Sequence, residues 1–373
     1  MSQAVLSRLS HLKSNLTAHG LDGVLLNPGS SLPYLSGLHF HISERPVVLA
    51  ISHAAGESII IPGLESQKLN HCPYPIEKFT YSEDVASWQQ AFSNGLAGLK
   101  KSGAKRIGIE PRSLRVLELR FIEEALPGVE LVSCEALIAS LRMRKDQEEL
   151  QQMRTAVDIA QKALLATIPA VKVGVSEKEM AALLIQNLLS FGSGGELPFQ
   201  PIVAFGANSA NPHAVPTDYR AKAGDMILFD WGANTNGYFS DLTRTFALGD
   251  PGEKLRHAYA AVQAANAAGR ATARPGLAAG GVDDATRGEI IKAGLADYFT
   301  HRTGHGLGLE VHEEPYIRAG NDAILDVGMT FTIEPGVYLN GLGGIRIEDD
   351  MLITANGCES LSTLPRDFQI LPV

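Results

Sequence analysis

The chain has 373 residues, of which 45% are hydrophobic and 20% charged, and its formal net charge is -9 at pH 7. This length favours two domains, each large enough to bury its own core. The composition is typical of globular proteins and excludes a disordered chain. The acidic balance, without any basic stripe, argues against nucleic acid as a partner.

The cysteines and the apolar runs indicate the cellular compartment of the protein. Cys72, Cys134 and Cys358 are odd in number, far apart and form no CxxC pair, which favours the reducing cytoplasm. The first 20 residues have helical spacing and lack the continuous apolar core of a signal peptide, so they predict a first helix of the mature protein. The longest apolar runs are shorter than the roughly 18 to 20 residues that span a bilayer, so we expect no membrane partner.

Two domains are predicted from the order of the elements. Residues 1–140 alternate short β-type runs (GVLLN, RPVVLAIS, SIIIP, RIGIE, VELVS) with helical stretches, which is typical of an α/β domain. Near residue 140 the pattern changes, and Asp146 followed by Glu149 has the spacing of a capping box. Residues 141–373 then carry two helices, the later one ending near Gly192, and a strand-rich region with one helical interlude. The second domain is therefore predicted to be α+β.

Two hairpins are predicted to bring carboxylates together. In MILFDWGANTNGYFSDLTRTF, a turn centred between Thr235 and Asn236 would place Asp230 directly opposite Asp241. In MTFTIEPGVYLNGLGGIRIEDDMLI, the symmetry point Gly341 would pair Glu334 with Glu348, although a bulge could disturb that register. Carboxylates this close repel one another unless a cation lies between them.

The alternative interpretation of each hairpin is a solvated polar face. It is weakest for Glu334, whose apolar neighbours predict a buried and therefore costly carboxylate unless it is paired. The segment HRTGHGLGLEVHEEP, residues 301–315, adds three histidines among glycines that allow close backbone approach. A mixed set of carboxylates and one imidazole favours Mn²⁺, although Zn²⁺ and Co²⁺ are also compatible.

Together these motifs resemble the pita-bread metallopeptidase family of Xaa-Pro aminopeptidases, prolidases and methionine aminopeptidases. The likeness lies in DWGA, SDLTRT, HRTGHGLG, IEPGVY and RIED, in this order, and covers nearly the whole chain. YLSG at 34–37 and ERP at 44–46 resemble the creatinase-like leading domain of the proline-directed branch. The resemblance implies a C-terminal pita-bread domain after a smaller α/β domain, a homodimer, and hydrolysis of the bond before proline in a small peptide with proline second.

The resemblance also implies roles for individual residues. Two metal ions would be held by Asp230, Asp241, His305, Glu334 and Glu348, with Asp241 and Glu348 binding both ions. Glu334 would move a proton, and two further histidines, His213 and His312, would stabilise the oxyanion and protonate the leaving nitrogen. Candidate substrate-binding residues are His301, Arg318, Tyr338, Arg346 and Arg45, the last by reaching across a dimer.

Two positions depart from the family pattern. Related aminopeptidases have an aspartate that joins an arginine and a tyrosine in a relay; Arg346 and Tyr338 match, but Ser31 stands at the aspartate position. Some prolidases place an arginine after the HExP-like segment to hold the dipeptide carboxylate, where this chain has Tyr316. The sequence therefore favours an Xaa-Pro dipeptidase and leaves an Xaa-Pro aminopeptidase open.

Two more distant alternatives follow from the same resemblance. A creatinase-like amidinohydrolase shares the fold without a metal centre, and some binding proteins use an inactive form of it. Retention of all five predicted ligands argues against both of them.

Overall fold

The computed structural model describes residues 2–373 and divides into two compact units, one up to Arg142 and one from Met143 onward. Within the described residues, every helix is too short or too polar to cross a lipid bilayer. Each unit has its own sheets and its own buried core.

The first unit is a six-stranded sheet with six helices. Its strands are β1 (Gly23–Leu26), β2 (Val48–Ser52), β3 (Gly56–Pro62), β4 (Glu77–Tyr81), β5 (Arg106–Ile109) and β6 (Glu130–Ser133). Its helices are α1 (Ser2–Leu16), α2 (Ser31–Ser36), α3 (Ala86–Gly95), α4 (Ala97–Lys101), α5 (Val116–Ala125) and α6 (Glu135–Arg142). The strand order is β4-β3-β2-β1-β5-β6, with antiparallel pairs in the middle and parallel pairs at both edges.

The β-type runs of the sequence form strands in this unit, as predicted. Leu25, Ile60 and Ile107 from three of them are buried with Phe92 and Ile122 from the helices. Strand β4 was not predicted, because three of its five residues are polar and exposed and only Phe79 and Tyr81 alternate toward the core. Apolar runs therefore predict five of the six strands, including the edge strand β6, and miss β4.

The second unit combines four helices with two sheets and two short ribbons. Its helices are α7 (Gln147–Thr167), α8 (Glu177–Ser190), α9 (Glu253–Thr272) and α10 (Ala279–Lys292). Its strands are β7 (Ile202–Phe205), β8 (Met226–Trp231), β9 (Asn234–Thr235), β10 (Tyr238–Phe239), β11 (Leu242–Leu248), β12 (Gly304–Gly306), β13 (Glu313–Ile317), β14 (Thr330–Ile333), β15 (Gly336–Leu339), β16 (Gly343–Arg346), β17 (Asp349–Thr354), β18 (Gly357–Ser360) and β19 (Ile370–Leu371).

The sheets of the second unit meet where the candidate residues lie. One sheet has the order β19-β11-β8-β7 and the other β13-β12-β14-β17-β18, while β9-β10 and β15-β16 form ribbons. An isolated bridge between Thr243 and Glu348 joins β11 to the segment between β16 and β17. The ends of several strands therefore converge on one region of this unit.

Helix boundaries in the second unit follow local sequence signals. The predicted capping box is confirmed, since Asp146 accepts from the Glu149 N–H and the Glu149 carboxylate accepts from the Asp146 N–H at 2.9 and 2.8 Å. Helix α10 begins at Ala279, so its first turn contains Gly280 and Gly281, which have low helix propensity. At Gly280 the helix packs closely on another segment of the chain. A Cβ at this position would lie 3.1 Å from the Asn321 nitrogen, which explains the glycine.

The register predicted for the first hairpin is wrong by two residues. Asp230 lies opposite Thr243 rather than Asp241. The turn is centred between Asn236 and Gly237, whose φ values of 52° and 87° are those of a two-residue type I′ turn. Since a shift of two residues preserves the face of a strand, the error changes the pairing without moving Asp230 to the other side of the sheet.

The register predicted for the second hairpin is confirmed. Ile333 pairs with Asp349 in one ladder and Gly336 with Arg346 in the next, so one register centred on Gly341 runs through both. Glu334 and Glu348 fall between the two ladders, where the Glu334 N–H bonds to the Thr303 carbonyl instead of to the opposite strand. Both glutamates therefore lie at the junction between the sheet and the β15–β16 ribbon.

Candidate metal centre

Five strand-associated positions bring acidic and imidazole side chains into one buried region of the second unit. They are Asp230 in β8, Asp241 before β11, His305 in β12, Glu334 after β14 and Glu348 between β16 and β17. Four of the side chains are at most 10% exposed, and that of Glu334 is 15% exposed. Charged groups this deeply buried require compensation by partners or by a bound cation.

His305 is the imidazole of this cluster. Its Nε2 lies 3.2 Å from Glu334 Oε1 and 3.7 Å from Asp241 Oδ2. Its Nδ1 lies 3.2 Å from the Gly306 carbonyl oxygen, which can only accept, so Nδ1 carries the hydrogen. Nε2 is thereby the ring nitrogen that faces the carboxylates, as a metal ligand requires.

Ligand atoms of Asp241, His305 and Glu348 all lie within 4.8 Å of one another. The main chain of Asp241 is fixed by its N–H, which donates to the Asp350 carboxylate at 3.1 and 3.3 Å. Glu348 Oε2 accepts from the Thr243 hydroxyl at 2.6 Å. These contacts fix two carboxylates close to one imidazole.

Arg346 connects the cluster to its surroundings. Its guanidinium pairs with Asp230 Oδ2 and donates to the Thr243 hydroxyl at 3.1 Å and to the Tyr338 hydroxyl at 2.7 Å. The Tyr338 hydroxyl is also 2.8 Å from Nε2 of His301, whose Nδ1 lies 2.7 Å from the Arg302 carbonyl. The carbonyl fixes the hydrogen on Nδ1, so Tyr338 donates to His301 while it accepts from Arg346.

The pKa values of these carboxylates are shifted by burial and by their neighbouring charges. Burial, followed by the neighbouring carboxylates, raises the pKa of Asp241 and of Glu348 well above their ordinary values. Burial also raises the pKa of Asp230, although Arg346 opposes that shift. Burial would raise the pKa of Glu334 too, but the hydrogen bond and charge of His305 outweigh it and lower that pKa to about 2.

The donor set fits divalent metal ions. Asp230 Oδ1 is buried and has no hydrogen-bond partner within the described residues, so one of its acceptors is left unsatisfied. Carboxylate oxygens with a single imidazole form a hard, oxygen-rich environment. Three of the five predicted ligands, Asp241, His305 and Glu348, form the compact candidate group. Glu334 contacts His305, whereas the second oxygen of Asp230 is engaged by Arg346.

Glycines around His305 are required by close backbone contacts. A Cβ on Gly304 would lie 1.9 Å from the Thr332 carbonyl oxygen, and one on Gly306 would lie 2.2 Å from the Glu314 carbonyl oxygen. Neither distance is possible for a side chain. Strand β12 is held between β13 and β14, and the glycines permit that spacing while His305 points into the cluster.

The two predicted non-ligand histidines lie in loops. The ring of His312 contacts that of His305 edge to face, with centroids 4.3 Å apart. Partial burial, then the charges of His305 and Arg302, lower the pKa of His312 to about 4, and His213 contributes in the same direction. His213 is exposed, and its N–H donates to the Asn211 side chain. His213 therefore lies within electrostatic range of His312.

The remaining predicted residues are placed as follows. Arg318 is exposed, and its guanidinium contacts only the neighbouring Ala319 carbonyl among the hydrogen bonds of residues 2–373. In the first unit, Arg45 pairs with Glu83 and Glu44 at 3.0 and 2.7 Å.

The two departures from the family pattern also have defined surroundings. In the first unit, the Ser31 hydroxyl donates to Glu110 at 2.6 Å and accepts from Arg142 at 3.3 Å. In the second unit, the Tyr316 ring lies under the Arg302 guanidinium at 4.6 Å. Neither residue carries the charge that the family pattern has at its position.

Comparison with protein-family models shows to which family the chain belongs. Residues 151–355 match the model of metallopeptidase family M24, and residues 8–144 match that of the creatinase/prolidase N-terminal domain. The chain belongs to metallopeptidase family M24. The expected combination of a creatinase-like leading domain and a pita-bread catalytic domain is thus confirmed for this M24 enzyme.

Individual M24 relatives align over nearly the whole chain. The Xaa-Pro dipeptidase of Pyrococcus horikoshii is 34% identical, with 94% of this chain and 95% of that protein covered. The crystal structure of dipeptidase PepE from Mycobacterium ulcerans has a TM-score of 0.92 and 32% identity, covering 100% of this chain and 99% of that one. An X-Pro aminopeptidase from Thermotoga maritima has a TM-score of 0.83 and 29% identity, with 97% and 99% covered.

One supporting residue of this M24 domain was missed in the sequence. Glu177, at the start of α8, is fully buried and accepts from the Phe205 N–H at 2.7 Å, from the Thr217 N–H at 2.7 Å and from the Asn208 side chain at 2.9 Å. It therefore ties both ends of the loop that carries His213. An acidic residue in the first turn of a helix is ordinary, so the sequence alone gave no signal for this role.

We expect Glu177→Gln to loosen this loop. An amide nitrogen in place of one carboxylate oxygen would face a donor whichever way it is turned, which costs about 1–3 kcal/mol of unfolding free energy. Urea unfolding measures that loss, and limited proteolysis measures faster cleavage within residues 206–217. Glu179→Gln is the matched control, because Glu179 is exposed on the same helix and glutamine also serves in a capping box. Equal behaviour of the two variants would contradict the expectation.

Proposed function

We propose that this M24 enzyme hydrolyses Xaa-Pro dipeptides with two divalent metal ions. The observation that supports the proposal most strongly is the buried cluster of Asp241, His305 and Glu348, with the unsatisfied oxygen of Asp230 and the close contact of Glu334 to His305. A buried group of four carboxylates around one imidazole serves no purpose in packing and is compensated only by cations. Similarity to the Xaa-Pro dipeptidase of Pyrococcus horikoshii supports the choice of substrate.

The proposed ligands are Asp230, Asp241, His305, Glu334 and Glu348. When bound, the ions lower the pKa of a water molecule and polarise the scissile carbonyl. Glu334, which is the most accessible of the four carboxylates, would accept a proton and pass it toward the leaving nitrogen. The imidazole N–H groups of His312 and His213 would donate hydrogen bonds to the developing oxyanion.

The chain of His301, Tyr338 and Arg346 has a positioning role in this proposal. Arg346 holds one oxygen of Asp230, and Tyr338 holds the guanidinium by accepting from it. The His301 ring, which also contacts Phe299 edge to face at 5.1 Å, would line the pocket beside Tyr338. These side chains fix Asp230 in one orientation before substrate arrives, which is how preorganised sites avoid reorganisation during reaction.

We further propose Mn²⁺ as the working ion, the cytoplasm as the location and a homodimer as the assembly, with residues 1–140 as the leading domain and 141–373 as the catalytic domain. The oxygen-rich donor set supports Mn²⁺, with Zn²⁺ or Co²⁺ as the alternatives. The three unpaired cysteines support a reducing compartment. Metal content and sedimentation of the purified protein measure the ion and the assembly.

Turnover of proline peptides before and after chelation tests the proposed function. We expect Ala-Pro and Gly-Pro to be hydrolysed, activity to disappear with a chelator and to return with Mn²⁺, and Pro-Ala to remain intact throughout. Activity that is indifferent to the chelator would refute the proposal. Faster turnover of Ala-Pro-Ala than of Ala-Pro would instead favour an Xaa-Pro aminopeptidase, the alternative that Tyr316 and Ser31 leave open.

A further inference from the structure

Arg302 has no role in the proposed chemistry, although it lies in the same segment as His301 and His305. It follows His301 and precedes His305 by three residues, and its side chain is partly exposed. Its guanidinium carbon lies 4.6 Å from the centre of the Tyr316 ring. Among residues 2–373 it has no carboxylate partner, whereas Arg346 pairs with Asp230.

The position of Arg302 is set by its neighbours in the second unit. Its carbonyl accepts from His301, and the carbonyl of the next residue, Thr303, accepts from the Glu334 N–H at 2.8 Å. Gly304, two residues after Arg302, pairs with Ile317 in the β12–β13 ladder, next to Tyr316. The guanidinium therefore lies over the ring of a β13 residue, and the loop that precedes β13 carries His312 in contact with the proposed ligand His305.

The chemistry of this group fits a carboxylate. A guanidinium offers parallel N–H donors that match the two oxygens of a carboxylate, and stacking on an aromatic ring holds its plane without using those donors. Arg302 is charged, stacked and, among residues 2–373, not paired with a carboxylate, so its donors are available to an anion from solution. The dipeptide substrates of the proposed reaction carry such an anion on proline, and peptides extended beyond proline do not carry it there.

We propose that Arg302, stacked on Tyr316, binds the free carboxylate of the Xaa-Pro dipeptide and so selects dipeptides. This inference rests on the proposed function. It assigns carboxylate recognition to a residue other than the predicted Arg318 and Arg45. Arg45 is already paired with two carboxylates in the first unit, and Arg318 is exposed without an aromatic ring to orient it.

The test compares Ala-Pro with Ala-Pro-amide, which lacks the charge, in the full-length protein with saturating Mn²⁺. We expect Arg302→Met to lower kcat/KM for Ala-Pro by about 10- to 100-fold, mainly through KM, the range for losing a charge-assisted hydrogen bond. The amide should change by less than about 3-fold, since it makes no such bond. Inhibition by proline should weaken in parallel, whereas inhibition by prolinamide should not.

Arg274→Met is the matched control, because it removes an exposed arginine of the second unit that donates only to the Thr272 carbonyl among the hydrogen bonds of residues 2–373, and it should leave both substrates unchanged. Equal losses on Ala-Pro and Ala-Pro-amide, or a loss with Arg318→Met instead, would overturn the assignment of Arg302. Should Arg302→Met not fold, Arg302→Lys carries the test: it keeps the charge and loses the planar pair of donors, so unchanged Ala-Pro kinetics would contradict the proposal. Wild-type protein inactive on Ala-Pro would overturn the proposed function as well, which separates the two failures.

Discussion

Asp241→Asn is expected to abolish metal-dependent hydrolysis and, at the same time, to stabilise the metal-free protein. Asp241 is buried beside Glu348, Asp230, Asp350 and Glu334, and these carboxylates raise its pKa after burial itself. A neutral amide of the same shape removes that repulsion, which is worth about 1–3 kcal/mol of unfolding free energy. Without one of the proposed metal ligands, activity should fall about a thousandfold, since metal-ion catalysis supplies several kcal/mol.

Urea unfolding with a chelator and then with Mn²⁺ separates the two effects. Wild-type protein should gain stability from Mn²⁺, because an ion that binds only the folded state shifts unfolding by mass action. The Asp241→Asn variant should start higher and gain less. Asp284→Asn is the control, since Asp284 is exposed on α10 and should change neither value. A variant that is less stable than wild type without metal, and equally responsive to Mn²⁺, would mean that Asp241 is structural.

The second large effect is expected at Arg346. Arg346→Met leaves Asp230 buried without its cationic partner, which costs about 3–5 kcal/mol of unfolding free energy in the metal-free protein. It also removes donors to Thr243 and Tyr338, so the whole group around Asp230 loses its fixed geometry. The loss should be smaller with Mn²⁺ present, because the ions then compensate the carboxylate.

A double-mutant cycle with Asp230→Asn measures this coupling. The double variant should recover much of the stability lost in Arg346→Met, since no unpaired charge remains. Arg154→Met provides the comparison, because Arg154 pairs with Glu359 at the surface, with both side chains about 40% exposed, and such pairs contribute about 0–1 kcal/mol. Additive effects of the Asp230 and Arg346 changes would show that the pair contributes no energy of its own.

The sequence predicted most of the helix ends, strands and hairpins that depend only on residues close together in the chain. The Asp146 capping box and the central strands of the first unit follow from neighbouring residues alone, and both were predicted correctly. The hairpin centred on Gly341 was also predicted correctly, because apolar strands on both sides fix its register. The Asp230 hairpin was displaced by two residues, because the turn was centred on Thr235 and Asn236 rather than on the residues with positive φ.

Contacts between distant segments account for what the sequence left open. Arg346 is an ordinary arginine in the sequence, and only the meeting of β8 with β16 gives it Asp230 as a partner. Glu177 acquires its role from a loop more than 25 residues later in the chain. Arg302 stood in a histidine-rich motif, yet its stacking on Tyr316 depends on the pairing of β12 with β13. The residue types predicted the cluster of candidate metal ligands. The residues that hold this cluster in place are set by contacts between distant segments.

The glycines on either side of His305 limit how this enzyme can diversify. Carbonyl groups from the adjacent strands occupy the space that a side chain at Gly304 or Gly306 would need. Neither position can therefore accept a side chain, and a library randomised there would return glycine alone. Changes in ion preference or substrate range have to arise on other strands and loops, such as the segment around His312 and Tyr316.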